Sequence, residues 1–313
     1  NLHHGPNLIS YSALPAADLS LDNIFSSIED EIHGVVTEGQ SAARLGDYWV
    51  GSLTEIIPTK GYWVIMDLDD IDGDISYELV GFPVDLNIEY NLQVGSNLIS
   101  YIGSDNIPLN TAIPDEVEPY FTDIIAEGNA AYHHPVGGWL GSLTTFNIGK
   151  GYWIKVSQAL MFQWEPGIFT TSFDKVALIE DSSIFNFHQS SEQAFYYISE
   201  IEGFTPNSID DKIISYCNGN ITGNRNWNGI YTDIPAMGND GNDYSEGYCE
   251  IGDRPEFKFY DAENDLLISL ESKNISPWTS NGITFITLSV EWMGENFPTN
   301  TAIHGSYPNP FNP

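Results

Sequence analysis

An internal repeat constrains the fold of this chain more than any other feature of its sequence. Residues 5–11, GPNLISY, return ninety positions later as residues 95–101, GSNLISY. The register then continues without a gap, because WVGSLTEIIPTKGYWV at 49–64 aligns with WLGSLTTFNIGKGYWI at 139–154, and nine of these sixteen positions are identical. Such self-similarity indicates that one structural unit has been duplicated.

The order of patterns inside each copy predicts a βαββ-like unit. A short apolar strand, NLIS, comes first, and an extended run and a KGYW strand close the unit. Between them, the first copy places apolar residues at helical spacing after Asp18 or Ser20, either of which suits a helix N-cap: Leu21, Ile24, Phe25, Ile28 and Ile32. In the second copy, Pro114 and Pro119 interrupt the series and predict a shorter or kinked helix.

From about residue 168 the repeat pattern stops, and short alternating strands separated by turn signals predict a β-sandwich. The expected strands cover residues 183–188, 193–201, 213–216, 255–260, 266–270 and 284–290, with Asn-Gly turns at 218–219 and 281–282. The predicted class is therefore mainly β with minor α. Its parts are two tandem βαββ-like repeat modules (1–82 and 83–167), a β-sandwich module (168–304) and a tail (305–313).

The charge balance excludes several classes of partner. Ten Lys and Arg stand against 44 Asp and Glu, which gives a formal net charge of −34. Without a basic patch, we expect no binding to nucleic acid or to anionic membrane surfaces. No apolar run approaches the length of a transmembrane helix, so we expect no membrane span.

The two cysteines, Cys217 and Cys249, predict either one disulfide or two buried thiols. A disulfide is the natural outcome if the chain is exported, and it would contribute about 3 to 4 kcal/mol through loop closure. The chain begins at Asn1 without Met, which fits an exported protein whose signal peptide has been removed and equally fits a fragment of a longer protein.

An oxygen-rich loop follows in the third module and predicts a calcium site. Its candidate ligands surround Gly241: Asn239, Asp240, Asn242, Asp243 and Glu246. Carboxylate and amide oxygens on a tight turn suit one hard cation, although the spacing differs from the twelve-residue EF-hand loop. The alternative is that Asn, Asp and Gly are simply turn residues.

Four tryptophans recur with the repeat framework and are candidates for sugar stacking or for an interface: Trp49, Trp63, Trp139 and Trp153. Because they recur together with the strands, the sequence favours core packing over ligand binding.

Three phrases resemble known families. The combination of NLIS, GSLT and KGYW resembles a repeat of large secreted and surface proteins of bacteria and archaea, and implies a modular extracellular protein without catalytic residues to carry over. The segments RNW at 225–227, DIPAMGNDGNDYSEGY at 233–248 and GDRPEFKFYD at 252–261 resemble a β-module of exported proteins that carry type IX sorting domains, and this resemblance spans most of residues 180–290. The segment YPNPFNP at 307–313 resembles the first strand of such a C-terminal sorting domain, so residues 305–313 are expected to be either the start of a truncated sorting domain or a tail. The resemblance implies export across an outer membrane followed by surface attachment or release.

The GxSxG nucleophile signature and the HExxH zinc signature are missing from the sequence, and we expect no catalysis. The expected function is that of a structural or adhesive surface protein that self-assembles into a filament or layer through its terminal segments, 1–6 and 305–313. The alternative is a calcium-dependent carbohydrate-binding accessory module. The expected partners are accordingly other copies of the chain or surface glycans.

Overall fold

The computed structural model describes residues 1–68, 73–165, 185–203, 206, 208–273 and 275–290. Strands dominate, and the helices are single turns, so the mainly β class with minor α is confirmed. Each repeat forms its own five-stranded sheet, and the third module forms a sheet of seven strands. The C-terminal segment 305–313 lies outside the described residues.

The elements of the first repeat are β1 (Gly5–Ile9), β2 (Ala13–Leu14), α1 (Leu21–Ile24), β3 (Ile32–Thr37), β4 (Gln40–Leu45), β5 (Tyr48–Gly51), β6 (Tyr62–Met66) and β7 (Phe82–Pro83). Five of these strands form a sheet in the order β1-β6-β3-β4-β5, with antiparallel pairing throughout. A two-stranded ribbon of β2 and β7 accompanies it.

The second repeat builds the same sheet, in the order β9-β15-β11-β12-β13. Strand β8 pairs with β16, and β10 pairs with β14. Its elements are β8 (Tyr90–Leu92), β9 (Gly95–Ser100), β10 (Ile107–Pro108), α2 (Leu109–Ala112), a 3₁₀ turn (Glu118–Tyr120), β11 (Phe121–Ala126), β12 (Asn129–His134), β13 (Gly138–Gly141), β14 (Thr145–Phe146), β15 (Gly151–Val156) and β16 (Leu160–Phe162).

The helix of the first repeat is shorter than the apolar spacing predicts. It ends after Ile24, and Ile32 begins strand β3 instead of closing a third helical turn. Ser26 donates its hydroxyl to the Asn23 carbonyl at 3.0 Å, and such side-chain bonds compete with helix continuation. Ser20 is the N-cap, but its side chain makes no capping hydrogen bond. In the second repeat the predicted interruption is confirmed, since α2 ends before Pro114.

The third module is one sheet in the order β19-β18-β21-β22-β23-β17-β20, and its edge strands β19 and β20 contact each other. The two layers expected of a sandwich therefore come from a single sheet that rolls toward closure. Its elements are β17 (Gln193–Glu202), β18 (Lys212–Cys217), β19 (Asn220–Asn226), β20 (Thr232–Met237), a 3₁₀ turn (Asp243–Ser245), β21 (Glu256–Asp261), β22 (Leu266–Ser272) and β23 (Ile283–Val290).

Five of the six strands predicted for the third module are present. Of the strand expected at 183–188, residues 183 and 184 lie outside the described residues. The described part, Phe185–His188, is irregular and forms no strand. There the His188 amide donates to the Tyr248 hydroxyl instead of to a neighbouring strand. The Asn218-Gly219 turn joins β18 to β19 with positive φ at both residues, as its sequence predicts.

The two repeats meet edge to edge through β1 and β9, the first strands of their sheets. Each strand contacts the turn before the KGYW strand of the other repeat. Ser10 donates its hydroxyl to the Lys150 carbonyl at 2.7 Å, and Ser100 donates its hydroxyl to the Pro58 carbonyl at 2.6 Å. The β1 edge of the first sheet and the β9 edge of the second are thereby covered, which protects these two edges from pairing with other chains.

Carboxylates complete this contact from both sides. Glu38 accepts the Leu98 amide at 3.3 Å and pairs with Lys60 at 2.8 Å. Glu127 accepts the Leu8 amide at 3.0 Å. The side chains of Leu8, Leu98 and Trp153 form a buried apolar cluster between the sheets. The duplicated sequence thus produces a pseudo-symmetric dimer within one chain.

The N-terminal segment is held by its own repeat. Leu2 is buried and exchanges two backbone hydrogen bonds with Ile75, at 2.8 and 2.9 Å. Asn7 fixes the turn formed by residues 3–7, because its side-chain amide donates to the carbonyls of His3 and Gly5. Asn97 repeats this arrangement with Gln93 and Gly95 in the second copy.

Gly61 and Gly151 let the repeats approach closely, and we predict that Gly61→Ala destabilises the chain by about 1 to 3 kcal/mol. A Cβ atom at Gly61 would lie 2.9 Å from the Ile99 carbonyl oxygen and 3.2 Å from the Gly151 Cα, so backbone would have to move. Urea unfolding measures the change. The control is Gly137→Ala, which places a Cβ at an ordinary 3.4 Å from its nearest neighbour. Equal stability of the two variants would contradict close packing between the repeats.

Candidate functional site

The third module contacts both repeats, and a buried aspartate lies at each contact. At the second repeat this residue is Asp240, from the oxygen-rich loop. Its carboxylate lies 3.2 Å from the Lys155 ammonium of β15, and the side chains of Asp240 and Lys155 are only 1% and 7% exposed. Lys155 also donates to the Asp240 carbonyl at 3.4 Å. The loop is thereby anchored to the sheet of the repeat.

Hydrogen bonds occupy both oxygens of the Asp240 carboxylate. Oδ2 accepts from the Tyr244 hydroxyl at 3.0 Å, from the Ser191 amide at 3.1 Å and from the Ser96 hydroxyl of the second repeat at 3.3 Å. Oδ1 accepts from the Ser245 hydroxyl at 2.7 Å and from the Asn242 amide group at 2.8 Å.

This environment keeps Asp240 ionised. Burial by itself would raise the pKa of Asp240, but hydrogen bonds from Asn242 and Ser245, together with the Lys155 charge, lower that pKa well below its usual range. The carboxylate is thus a fixed negative charge that holds the loop and two modules together.

At the first repeat the corresponding residue is Asp233 of β20. Its Oδ2 accepts from the hydroxyls of Ser52 at 2.7 Å and Ser41 at 3.1 Å, and the Arg225 guanidinium lies at 3.3 Å. Arg225 also donates to the Gly39 carbonyl at 2.8 Å, and the Tyr197 hydroxyl lies 2.7 Å from the Ser41 hydroxyl. The network joins β4 and the loop after β5 to the third module.

Asp233 differs from Asp240 in its electrostatics. Burial raises the pKa of Asp233 despite the opposing effects of Arg225, Ser52 and Ser41. The two carboxylates therefore have similar structural positions but opposite pKa shifts, because fewer hydrogen bonds compensate the burial of Asp233.

The disulfide positions the oxygen-rich loop. Cys217 at the end of β18 is joined to Cys249, with Cα atoms 5.2 Å apart. The Cys249 amide donates to the Met237 carbonyl at 3.2 Å, and the Asn239 amide donates to the Cys249 carbonyl at 2.9 Å. Both ends of the loop are therefore fixed to the sheet.

The five candidate calcium ligands are near one another in sequence, but their oxygens are used in different ways. Asp240 is occupied as described, and Asn242 donates to it. Asn239 accepts the Gly241 amide at 2.9 Å, which closes an Asx turn. Asp243 and Glu246 are exposed. Within the described residues, no group of three or more His, Cys, Asp or Glu is arranged to hold a metal ion.

As arranged, these side chains do not form a calcium cage, since the Asp240 oxygens point to internal donors. The contacts favour the alternative prediction, in which Asn, Asp and Gly build the turn. Calcium binding by this loop stays a prediction, and it would require Asp240 to exchange its hydrogen bonds for metal ligation.

The four candidate tryptophans contribute to packing. Trp153 is 2% exposed and lies between the repeats with Leu8 and Leu98. Trp63 is partly buried there and beneath the third module. Trp49 packs against Phe25, with Arg44 over its ring at 5.5 Å. Their positions favour the structural interpretation of these aromatics over a stacking row.

Trp139 differs from the other three because a groove opens beside it. Its indole N–H donates to the Glu118 carboxylate at 2.8 Å, and the His133 ring lies 4.9 Å from the indole ring. The groove has a volume of about 440 Å³, and Asn110 and Thr144 contribute polar groups to its wall. Its size and mixture of aromatic and polar groups fit a small polar ligand such as one sugar ring.

Comparison with family models, with curated proteins and with solved structures gives no match to this chain. None of the helices in the described part of the chain has the length and apolar character needed to cross a bilayer.

Sequence reasoning selected Asp240 as a candidate metal ligand and did not identify the partners that Asp240 and Asp233 have in the two repeats. The partners of these carboxylates are Lys155, Ser96, Ser41 and Ser52, which lie between 85 and 192 residues away in sequence. One signal was present: Lys155 and Arg225 are two of only ten basic residues, and a rare cation in an acidic chain is a candidate partner for a buried carboxylate.

We predict that Asp240→Asn lowers the free energy of unfolding at neutral pH by about 3 to 5 kcal/mol, because it leaves the Lys155 charge buried and unpaired. The loss should shrink below about pH 4. Since the pKa of Asp240 is lower in the folded state, its contribution is present above the unfolded-state pKa and disappears as pH falls toward the folded-state value.

Chemical denaturation at several pH values measures this dependence. Asp243→Asn is the matched control, since Asp243 is an exposed neighbour on the same loop and should change stability by less than about 0.5 kcal/mol. A loss for Asp240→Asn that does not depend on pH would show that the carboxylate is not held ionised by its surroundings.

Proposed function

We propose that this chain is a non-catalytic, secreted structural or adhesive surface protein that assembles with other copies of itself. The observation that supports this best is the use of its buried polar groups. Asp240 and Asp233 commit their oxygens to joining the third module to the two repeats. Side chains occupied in this way stabilise a multi-module body and are not free to act on a substrate.

Export is the second part of the proposal. The Cys217–Cys249 disulfide fits an oxidising compartment outside the cytosol. The resemblance of YPNPFNP to the start of a type IX sorting domain, together with the repeat resemblance, points to transport across an outer membrane and to a place at the cell surface.

Assembly of so acidic a chain requires its charge to be screened. With a net charge of −34, two copies repel each other at low ionic strength. Divalent cations such as calcium would reduce that repulsion on an acidic surface without a built metal site. The N-terminal segment is bound to its own repeat through Leu2 and Ile75, so assembly through a terminus would use the C-terminal segment.

We predict that the purified chain sediments as larger species, and forms filaments or layers in electron micrographs, when millimolar calcium is present, and that EDTA reverses this. The matched control is magnesium at equal ionic strength, which separates general screening from a calcium-selective effect. Unchanged sedimentation and an unchanged melting temperature after EDTA treatment would contradict the part played by calcium. Micrographs that show only dispersed monomers under all conditions would contradict self-assembly.

A carbohydrate-binding accessory module is the second candidate function, and the groove beside Trp139 is the observation that favours it. Aromatic rings suit the apolar faces of sugars, and Glu118, Asn110 and Thr144 offer hydrogen-bonding groups at the same place. In the first repeat the residue equivalent to Trp139 is Trp49. Phe25 packs against Trp49, and Arg44 lies over the Trp49 ring, so the two copies differ at this position.

If this second function is present, Trp139→Ala should abolish binding on a glycan array while Trp49→Ala leaves it intact. Both changes remove a partly buried tryptophan from equivalent positions, so loss of stability affects both variants and thermal unfolding of each provides the correction. Absence of wild-type binding to any glycan would exclude the second function and leave the first.

A further inference from the structure

The two repeats have diverged on one face of their sheets, and the described part of the third module covers that face fully in the first repeat but not in the second. In the first repeat the covered side chains are Val36, Ala43, Val50, Trp63 and Ile65. The third module supplies the covering side chains, which belong to β17, β23 and the segment before β20: Phe195, Tyr197, Tyr231, Ile283 and Phe285.

Strand register identifies the same face in the second repeat. Ala43 pairs with Val50 across β4 and β5, and Tyr132 pairs with Leu140 across β12 and β13. Tyr132 therefore stands at the position of Ala43, and Leu140 stands at the position of Val50. By the same alignment, Ile125 of β11 stands at the position of Val36.

This face of the second repeat is uncovered at its outer half. Tyr132 is 48% exposed and Leu140 is 42% exposed. Among the described residues, the third module contacts the inner half of this sheet, where Asp240 and Tyr244 contact Ser96 and Asp240 pairs with Lys155. The apolar surface of β17 and β23 is already used on the first repeat, so these two strands do not cover Tyr132 and Leu140.

Charge distribution indicates which partner could approach this face. Residues 128–164 contain no Asp or Glu, and this is the longest such run in a chain with a net charge of −34. Strands β12 and β13 both lie within it. Asp123, which pairs with Tyr132, is the carboxylate on the face itself, on the side toward the inner half of the sheet. Two acidic copies would meet here with less repulsion than at their acid-bearing surfaces.

We propose that the face formed by Tyr132 and Leu140, with the partly buried Ile125 at its border, is a contact between two copies of this chain. A twofold arrangement places the same patch on both sides, with Leu140 of each copy next to the axis and Tyr132 of each copy packed beside it. The inference rests on the proposed self-assembly and names one surface that it uses in addition to the C-terminal segment. Three apolar side chains from each copy form a small contact, so the pair is weak and forms at high protein concentration.

The test compares wild-type chain with Tyr132→Asp and Leu140→Asp by sedimentation over a range of protein concentrations, at fixed calcium and salt. A charge in the centre of the contact should weaken self-association by about tenfold or more, which corresponds to about 1.4 kcal/mol. Ile251→Asp is the control, because it adds the same charge to an apolar residue that is 82% exposed on the third module. Thermal unfolding verifies that all three variants are folded.

A cysteine crosslink provides a second measurement that does not depend on affinity. The described cysteines are both in the disulfide, so Leu140→Cys introduces a single free thiol. Mild oxidation should convert this variant into a covalent dimer several times faster than Ile251→Cys. Mass spectrometry after digestion verifies that Cys217 and Cys249 remain joined to each other.

Association of Leu140→Asp equal to that of wild type, or equal crosslinking of the two cysteine variants, would overturn this contact. If the aspartate variants still form the wild-type filaments or layers, the contact is wrong while the proposed structural function stands. If wild-type chain stays monomeric at all concentrations, both the contact and the self-assembly part of the proposed function are wrong.

Discussion

The edge-to-edge contact of β1 with the second repeat, and of β9 with the first, fixes the geometry on which the rest of the structure depends. It holds two sheets in one relative position through Leu8, Leu98 and the carboxylates of Glu38 and Glu127. The third module then contacts both sheets at once, through Asp233 on one repeat and Asp240 on the other. Movement between the repeats would break at least one of these buried networks, so the three contacts support one another.

Scarce positive charge is concentrated at these contacts. Four of the ten basic residues lie where modules meet: Lys60, Lys150, Lys155 and Arg225. Each lies within 4 Å of a carboxylate, and two of those carboxylates are almost fully buried. In a chain with 44 acidic residues, this placement lets the interior contacts balance their charge while the exterior remains anionic. The net negative charge of the sequence is therefore a property of the protein surface, whereas the contacts between modules pair acidic with basic residues.

The sequence carried enough information to predict the repeat, the β-rich class and 11 of the 23 strands of the described residues, because these depend on local alternation and on self-comparison. Helix length in the first repeat was overestimated, since Ile28 and Ile32 have helical spacing but Ile32 pairs in β3. Strands β19 and β20 were missed because Asn, Gly and Pro interrupt their alternation. The roles of Asp233 and Asp240 could not be predicted, as their partners come from other modules and no local pattern records which modules meet.

Divergence between the repeats explains how one module selects one of two similar sheets. A Cβ atom on Gly34 would lie 2.4 Å from Ile283, and one on Gly51 would lie 2.8 Å from the Tyr197 hydroxyl, so the first repeat needs small residues to receive the third module. The second repeat has Asp123 at the position of Gly34 and Tyr132 at the position of Ala43. These larger side chains would exclude the same docking. Duplication therefore supplied two equivalent faces, and substitution at a few positions reserved one of them for the third module and left the other open.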